Sequence, residues 1–241
     1  MNGNQMIQII PTLKVNNRKL NERFYIETLG MKPLLEESAF LSLGDQTGVE
    51  KLILEEAPSM RTRKVEGLKK LARLVVKVKD PSEIEGLLSQ MKSLSRLFKG
   101  SRGYAFEIVS PEQDVILVHA ENHIKDLVPL ETVPEFYSNT SIKYLSQFEV
   151  SMELRLPEGT ESLLDPEGVA PAITFTKGQG ADLAVENNVT WDLTMLKFLV
   201  RNFDLTSLRQ KFEKTGYFVP KSEKFFLGKD TNNIELWFEE A

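Results

Sequence analysis

The sequence predicts an α+β protein made of four tandem strand–helix–strand–strand–strand (βαβββ) modules. Two stretches predict it: MIQIIPTLKVNNRKLNERFYIETLGMKPLLEE near the start, and the same order of elements over residues 193–238, closing with DTNNIELWFEE. One module leaves a face of its own sheet bare. Modules are therefore expected to pair, and each pair to enclose a concave surface.

In the first module, Ile7, Ile9, Leu13 and Val15 fall on one side of a strand, with Gln8, Thr12 and Lys14 on the other. Asn16 or Asn17 caps a helix carrying Leu20, Phe24 and Thr28, which stops at Gly30. Strands follow at 33–37, 39–43 and 49–55. The second module opens at Leu71, where Leu74, Val76 and Val78 alternate with Arg73, Val75 and Lys77. DPSE then starts a helix, with Asp80 as N-cap, Pro81 at N1 and Glu83 at N3. Strands are expected near 95–98, 103–109 and 115–120. Residues 121–143, with Pro129, Pro134, Asn139 and Thr140, have no clear period and read as a connection.

The third module has the cleanest strand pattern: Phe148, Val150, Met152, Leu154 and Leu156 alternate with Glu149, Ser151, Glu153 and Arg155. A short helix near 158–166 and strands near 171–176 and 181–186 should follow. The fourth has a strand at 193–200 and a helix capped by Asp204, with Leu205, Leu208 and Phe212 as its stripe and Gly216 as its stop. Strands near 217–219, 224–228 and 234–238 complete it. Pairing modules in order, one with two and three with four, gives domains at 1–120 and 144–241.

Composition narrows the function. The chain has 241 residues, 41% hydrophobic and 27% charged, as a soluble globular protein would. A net charge of −5 argues against a general nucleic-acid binder, and no nucleic-acid partner is expected. The one basic cluster, Arg61, Arg63, Lys64, Lys69 and Lys70, reads as a solvated loop. With no cysteine, disulfides, thiolate metal sites and cysteine nucleophiles drop out. Gln8 and Pro11 interrupt any apolar leader, and no run approaches the ~20 apolar residues of a membrane span. A cytoplasmic protein without membrane contact is expected, for which surface exposure would need unconventional release.

FY-x-x-x-LGM, formed by Phe24, Tyr25, Leu29, Gly30 and Met31, and DTNNIELW at 230–237 carry a resemblance. They resemble the helix-to-strand signature and the D-P-D-G-N-x-I-E-L-W ending of the vicinal oxygen chelate superfamily, which includes glyoxalases and dioxygenases. The resemblance implies two glyoxalase-like domains. Over its full length, including IIPTLKVNNRKLNERFY, the chain further resembles the streptococcal CppA family. That family is described as a proteinase degrading complement component three, so the resemblance implies that protein as a partner.

In the superfamily a His from a first strand and a Glu from a last strand hold a divalent metal. Aligning H-x-x-L-x-V on the four first strands puts Ile10, Arg73, Ser151 and Met195 at the His positions. None is a usual ligand for such a metal. The last-strand Glu is kept as Glu235, with Leu117 as its expected counterpart in module two. No metal of the superfamily type and no cofactor is therefore expected. For peptidase chemistry, the only histidines are His119 and His123, in HAENH, which is not a zincin H-E-x-x-H. No G-x-S-x-G elbow and no D-[ST]-G pair occurs. No catalytic residue is assigned.

The remaining candidates come from strand alternation. Glu153, Arg155, Lys197, Glu235 and Trp237 are expected together on the concave sheet of the second domain, where the cations would take a small anionic ligand and Trp237 a planar or apolar one. The alternative is that these charges pair with one another across strands. His119 is expected to line or plug the cavity of the first domain, as the analogue of Trp237. The sequence thus leaves two functions open: a proteinase acting on complement component three, and a non-catalytic ligand- or protein-binding module. A homodimer is a further expectation.

Overall fold

The structure is a computed structural model and describes residues 5–58, 61–91, 93–137 and 142–241. Module one comprises β1 (Gln5–Val15), α1 (Arg18–Arg23) continued by a π-helical turn (Phe24–Thr28), β2 (Lys32–Glu37), β3 (Phe40–Gly44) and β4 (Glu50–Glu56). Module two comprises β5 (Leu71–Val78), α2 (Pro81–Gln90), β6 (Arg96–Gly100), β7 (Gly103–Val109) and β8 (Val115–His119). A short β9 (Val128–Leu130) lies in the connection. Module three is β10 (Phe148–Pro157), α3 (Pro166–Val169) and β11 (Ile173–Gly178). Module four is β12 (Leu193–Arg201), α4 (Leu205–Lys211), β13 (Tyr217–Phe218), β14 (Phe225–Lys229) and β15 (Glu235–Glu240).

The modules do not pair in chain order. One sheet has eight strands, ordered β13-β14-β15-β12-β1-β4-β3-β2, and joins module four to module one. The other has seven, ordered β11-β10-β5-β8-β7-β6-β9, and joins module three to module two. Each half of the chain therefore contributes to both sheets. The two junctions share one register: Ile10 lies opposite Lys197 and Thr12 opposite Met195, as Arg73 lies opposite Glu153 and Val75 opposite Ser151. Strand alternation is alike in every module, so it leaves the partner open. Cross-strand contacts choose it. Modules one and two meet elsewhere: the turn at Gly30, whose φ of +66° ends the first helix, packs beside Leu87 of α2.

Local capping follows the sequence closely. Asn17 accepts from the Leu20 amide, Asp80 from Ser82, and Asp204 from Thr206 and Ser207. Glu83 does not close a capping box; it accepts from the Ser146 amide instead. The first helix buries Asn21, Tyr25 and Leu29 rather than the expected stripe, and Leu20 is 51% exposed. Asn21 takes the inward face, its side-chain amide donating to Glu112 at 3.1 Å. Ile7 is likewise exposed, because a bulge between Met6 and Gln8 breaks the alternation before Ile9.

Module three is shortened. Its helix starts only after Asp165, and residues 181–184 form a 3-10 turn where a strand is expected. Asp182 explains the turn: its carboxylate takes both guanidinium nitrogens of Arg63, at 2.6 and 2.8 Å, and the Glu66 amide. The Arg63 hydrogen bonds hold this carboxyl below its usual range. The basic cluster is thus no solvated loop. Lys69 pairs with Asp114, and Lys70 is buried with its ammonium on the Val185 carbonyl. Burial draws Lys70 down to about 8, against the attraction of Asp192.

One hydrophobic cluster takes in the helix-facing residues of both sheets, from Leu13 and Leu54 to Leu74 and Val118, with Tyr25, Leu87 and Phe212 from the helices. No helix among the described residues is long and apolar enough to cross a membrane.

Candidate functional site: one open and one covered concave face

The superfamily-like motifs turn out to be packing and turn elements. Tyr25, Leu29 and Met31 are fully buried. In DTNNIELW, Asp230 accepts from the Leu163 amide at 2.6 Å, and Asn233 takes the left-handed conformation with φ 63°. The stretch is a turn that also pins module three, followed by β15.

The expected site residues divide between the sheets. Lys197, Glu235 and Trp237 lie on the eight-stranded sheet; Glu153, Arg155 and His119 lie on the seven-stranded one. Their expected convergence is corrected by the pairing of modules. Strand register also moves one counterpart. Met195 lies opposite Glu235, whereas Leu74 lies opposite Ile116, so the counterpart of Glu235 is Val115 and that of Trp237 is Leu117. His119, opposite Lys77, then matches Glu239, opposite Leu199. The shift of two residues keeps each on its expected face.

On the seven-stranded sheet the charges pair. Arg73 meets Glu153 at 2.5 Å and Glu107 at 3.3 Å, and Arg155 donates to the Lys69 carbonyl at 2.9 Å. Beside them Val75, Phe98, Ala105 and Leu117 form a small apolar cluster covered by Ile124 and Leu127. These two come from the connection, which makes a 3-10 turn at Ile124–Asp126 and adds β9 to the sheet. The Asn139 and Thr140 part of that connection lies outside the described residues.

The concave face of the eight-stranded sheet stays open. A hollow of about 500 Å³ is lined by Leu35, Phe40, Ile53, Met195, Lys197 and Trp237. Trp237 stacks on Phe225, ring centroids 3.8 Å apart, and its indole N–H donates to Glu239. Lys197 sits between Glu239 at 2.9 Å and Glu50 at 3.5 Å. Burial pulls the Lys197 ammonium down, but the two carboxylates outweigh it and leave its pKa above the ordinary value. Farther along, Lys14 pairs with Glu55 at 3.5 Å, and burial raises the Glu55 carboxyl. Glu235, half-buried nearby, adds to that rise.

The superfamily metal does not fit these residues. Ile10 is 1% exposed, Arg73 is ion-paired, and Ser151 and Met195 complete the four aligned positions. Among the described residues no three His, Asp or Glu side chains come together to hold a metal. Glu121 is tied to Ser101 and the Arg102 amide, away from any shared ligand role with His119.

Paired βαβββ modules with curved mixed sheets define a glyoxalase/dioxygenase-type, vicinal-oxygen-chelate fold. Glyoxalase I variants from Zea mays share it: TM-scores are 0.57 and 0.56 at 10% identity, over 99% and 98% of this chain and 92% and 94% of theirs. Residues 8–130 match the family described as CppA N-terminal and residues 145–238 that described as CppA C-terminal. The crystal structure of the cppA protein from Streptococcus pneumoniae TIGR4 is 67% identical over the whole of both chains, with a TM-score of 0.96. The chain belongs to the CppA family. No curated protein matches it.

Proposed function

We propose that this CppA-family chain is a non-catalytic binding protein that receives its ligand on the open concave face of the eight-stranded sheet. The observation that carries the reading is the contrast between the faces: Ile124 and Leu127 cover part of one, while Trp237, Phe40 and Leu35 are left around a hollow on the other. The aligned metal positions hold no donor set, which supports binding over metal chemistry. Lys197 is neutralised by two carboxylates, so this face favours a flat neutral or cationic group over an anion. Titration with indole, quinoline and N-methylquinolinium, followed by the backbone amide resonances of Met195, Lys197 and Phe40 around the hollow, tests it. Shifts lost in Trp237→Leu are expected; no shift with any of them retires the proposal.

The second reading is a proteinase acting on complement component three. Its support is family membership and the description attached to that family. Incubating purified protein with complement component three, host proteases excluded, tests it, and absence of cleavage removes it.

A further inference from the structure

A second cavity, of about 860 Å³, lies between the two sheets. From the eight-stranded sheet it is lined by residues 6–9 of β1 and by Lys51 of β4. From the other come Lys77, His119 and residues 149–151 of β10, with the 122–125 turn and Pro171, Ala172 and Thr174 closing the sides. Its volume is within the ~300–1,000 Å³ of small-molecule sites.

The charge in this cleft is unbalanced. Lys51, Lys77 and Lys125 face one carboxylate, Glu149. Lys77 is central, directly opposite His119 on one side and Glu149 on the other. None of the three lysines makes an ion pair or side-chain hydrogen bond among the described residues. Lys197, Lys14 and Lys69, by contrast, each sit on a carboxylate. His119 is 3% exposed, and its Nδ1 has no partner. The buried imidazole nitrogen is costly unless something supplies its missing contact, and the half-buried Lys51 and Lys77 with the exposed Lys125 make the mouth beside it cationic. Ile7, Ile9, Val150, Pro171 and Ala172 make the rest of the wall apolar.

We infer that this cleft is a binding site for an organic anion with an apolar body, its carboxylate or phosphate held by Lys77, Lys51 and Lys125 beside His119 and its body laid along Ile7, Val150 and Pro171. The anionic ligand anticipated from the sequence thus belongs between the sheets, away from Lys197. Charge-assisted hydrogen bonds from the lysines supply the head-group contacts, and half-burial weakens solvent screening at Lys51 and Lys77.

Isothermal titration of the full chain with hexyl phosphate, hexanoate, hexanol and inorganic phosphate tests the site. Binding of at least one of the two amphiphilic anions is expected, with the better one identifying the head group. Hexanol and inorganic phosphate should each bind about tenfold more weakly or not at all. Lys51→Gln with Lys77→Gln should weaken the amphiphile by about tenfold or more, with the circular dichroism spectrum unchanged. Lys197→Gln, outside this lining, should leave it unaltered, which separates this site from the concave one. Failure of both anions to bind, equal binding of hexanol, or binding that survives the double substitution overturns the inference.

Discussion

Arg73 and Glu153 face each other across the junction of β5 and β10, with Nη2 and Oε1 2.5 Å apart. They come from the second and third modules, and their contact marks the pairing that sends Glu153 away from Lys197. Arg73 also holds Glu107 at 3.3 Å. Arg73→Ala leaves two carboxylates on one face and should cost about 1–2 kcal/mol in urea unfolding at neutral pH. Glu153→Gln, which leaves Glu107 paired, should cost less than about 1 kcal/mol. Equal costs for the two would dismiss the bridging role.

Asp192 is the buried knot between modules. At 3% exposure it accepts the amides of Lys70 at 2.6 Å, Leu71 at 3.2 Å and Leu193 at 2.8 Å. Asp192→Ala strands these donors and should lower stability by about 3 kcal/mol or more. Asp192→Asn keeps an acceptor and should recover part of the loss. Denaturant midpoints of the three proteins decide it.

The cover on the seven-stranded sheet should be removable. Replacing Ile124 and Leu127 together by serine uncovers Val75, Phe98, Ala105 and Leu117. A loss of about 1–3 kcal/mol is expected, together with new binding of anilinonaphthalene sulfonate under conditions where the protein stays folded. A dye signal no different from the parent would show that the cover is dispensable.

His119 predicts an acid limb of stability. Burial foremost, then the neighbouring Lys77, pushes its pKa from 6.5 to about 4. The folded state therefore resists a proton that the unfolded chain accepts. The stability is fully present above pH 6.5, falls as the pH drops from there, and levels off below about 4. By pH 5 the loss from this group is about 2 kcal/mol. His119→Gln should flatten that limb. Urea unfolding of both proteins at pH 7.5 and pH 5 measures the difference, and parallel losses would assign the limb to other groups.

Much of the architecture was legible locally. Asn17, Asp80 and Asp204 are caps that the sequence marks, and the Phe148–Leu156 alternation is the strand it predicts. The misses have local physical causes as well: Asn21, held inside by Glu112, took the face expected of Leu20, and Asp182 took Arg63 instead of entering a strand.

The candidate site was legible only in part. The face of each residue followed from alternation by two, and so survived a register error of two at Val115 and Leu117. Their neighbours did not. The sequence alone determined the repeated module, its caps and the absence of metal donors at Ile10, Arg73, Ser151 and Met195. The tertiary structure decided which modules share a sheet, that Ile124 and Leu127 cover one concave face, and that Lys51, Lys77 and His119 meet between the sheets. The physical reason is that period and capping are properties of a few consecutive residues. Partner choice is set by contacts such as Arg73–Glu153 and Lys197–Glu50, between residues far apart in the chain.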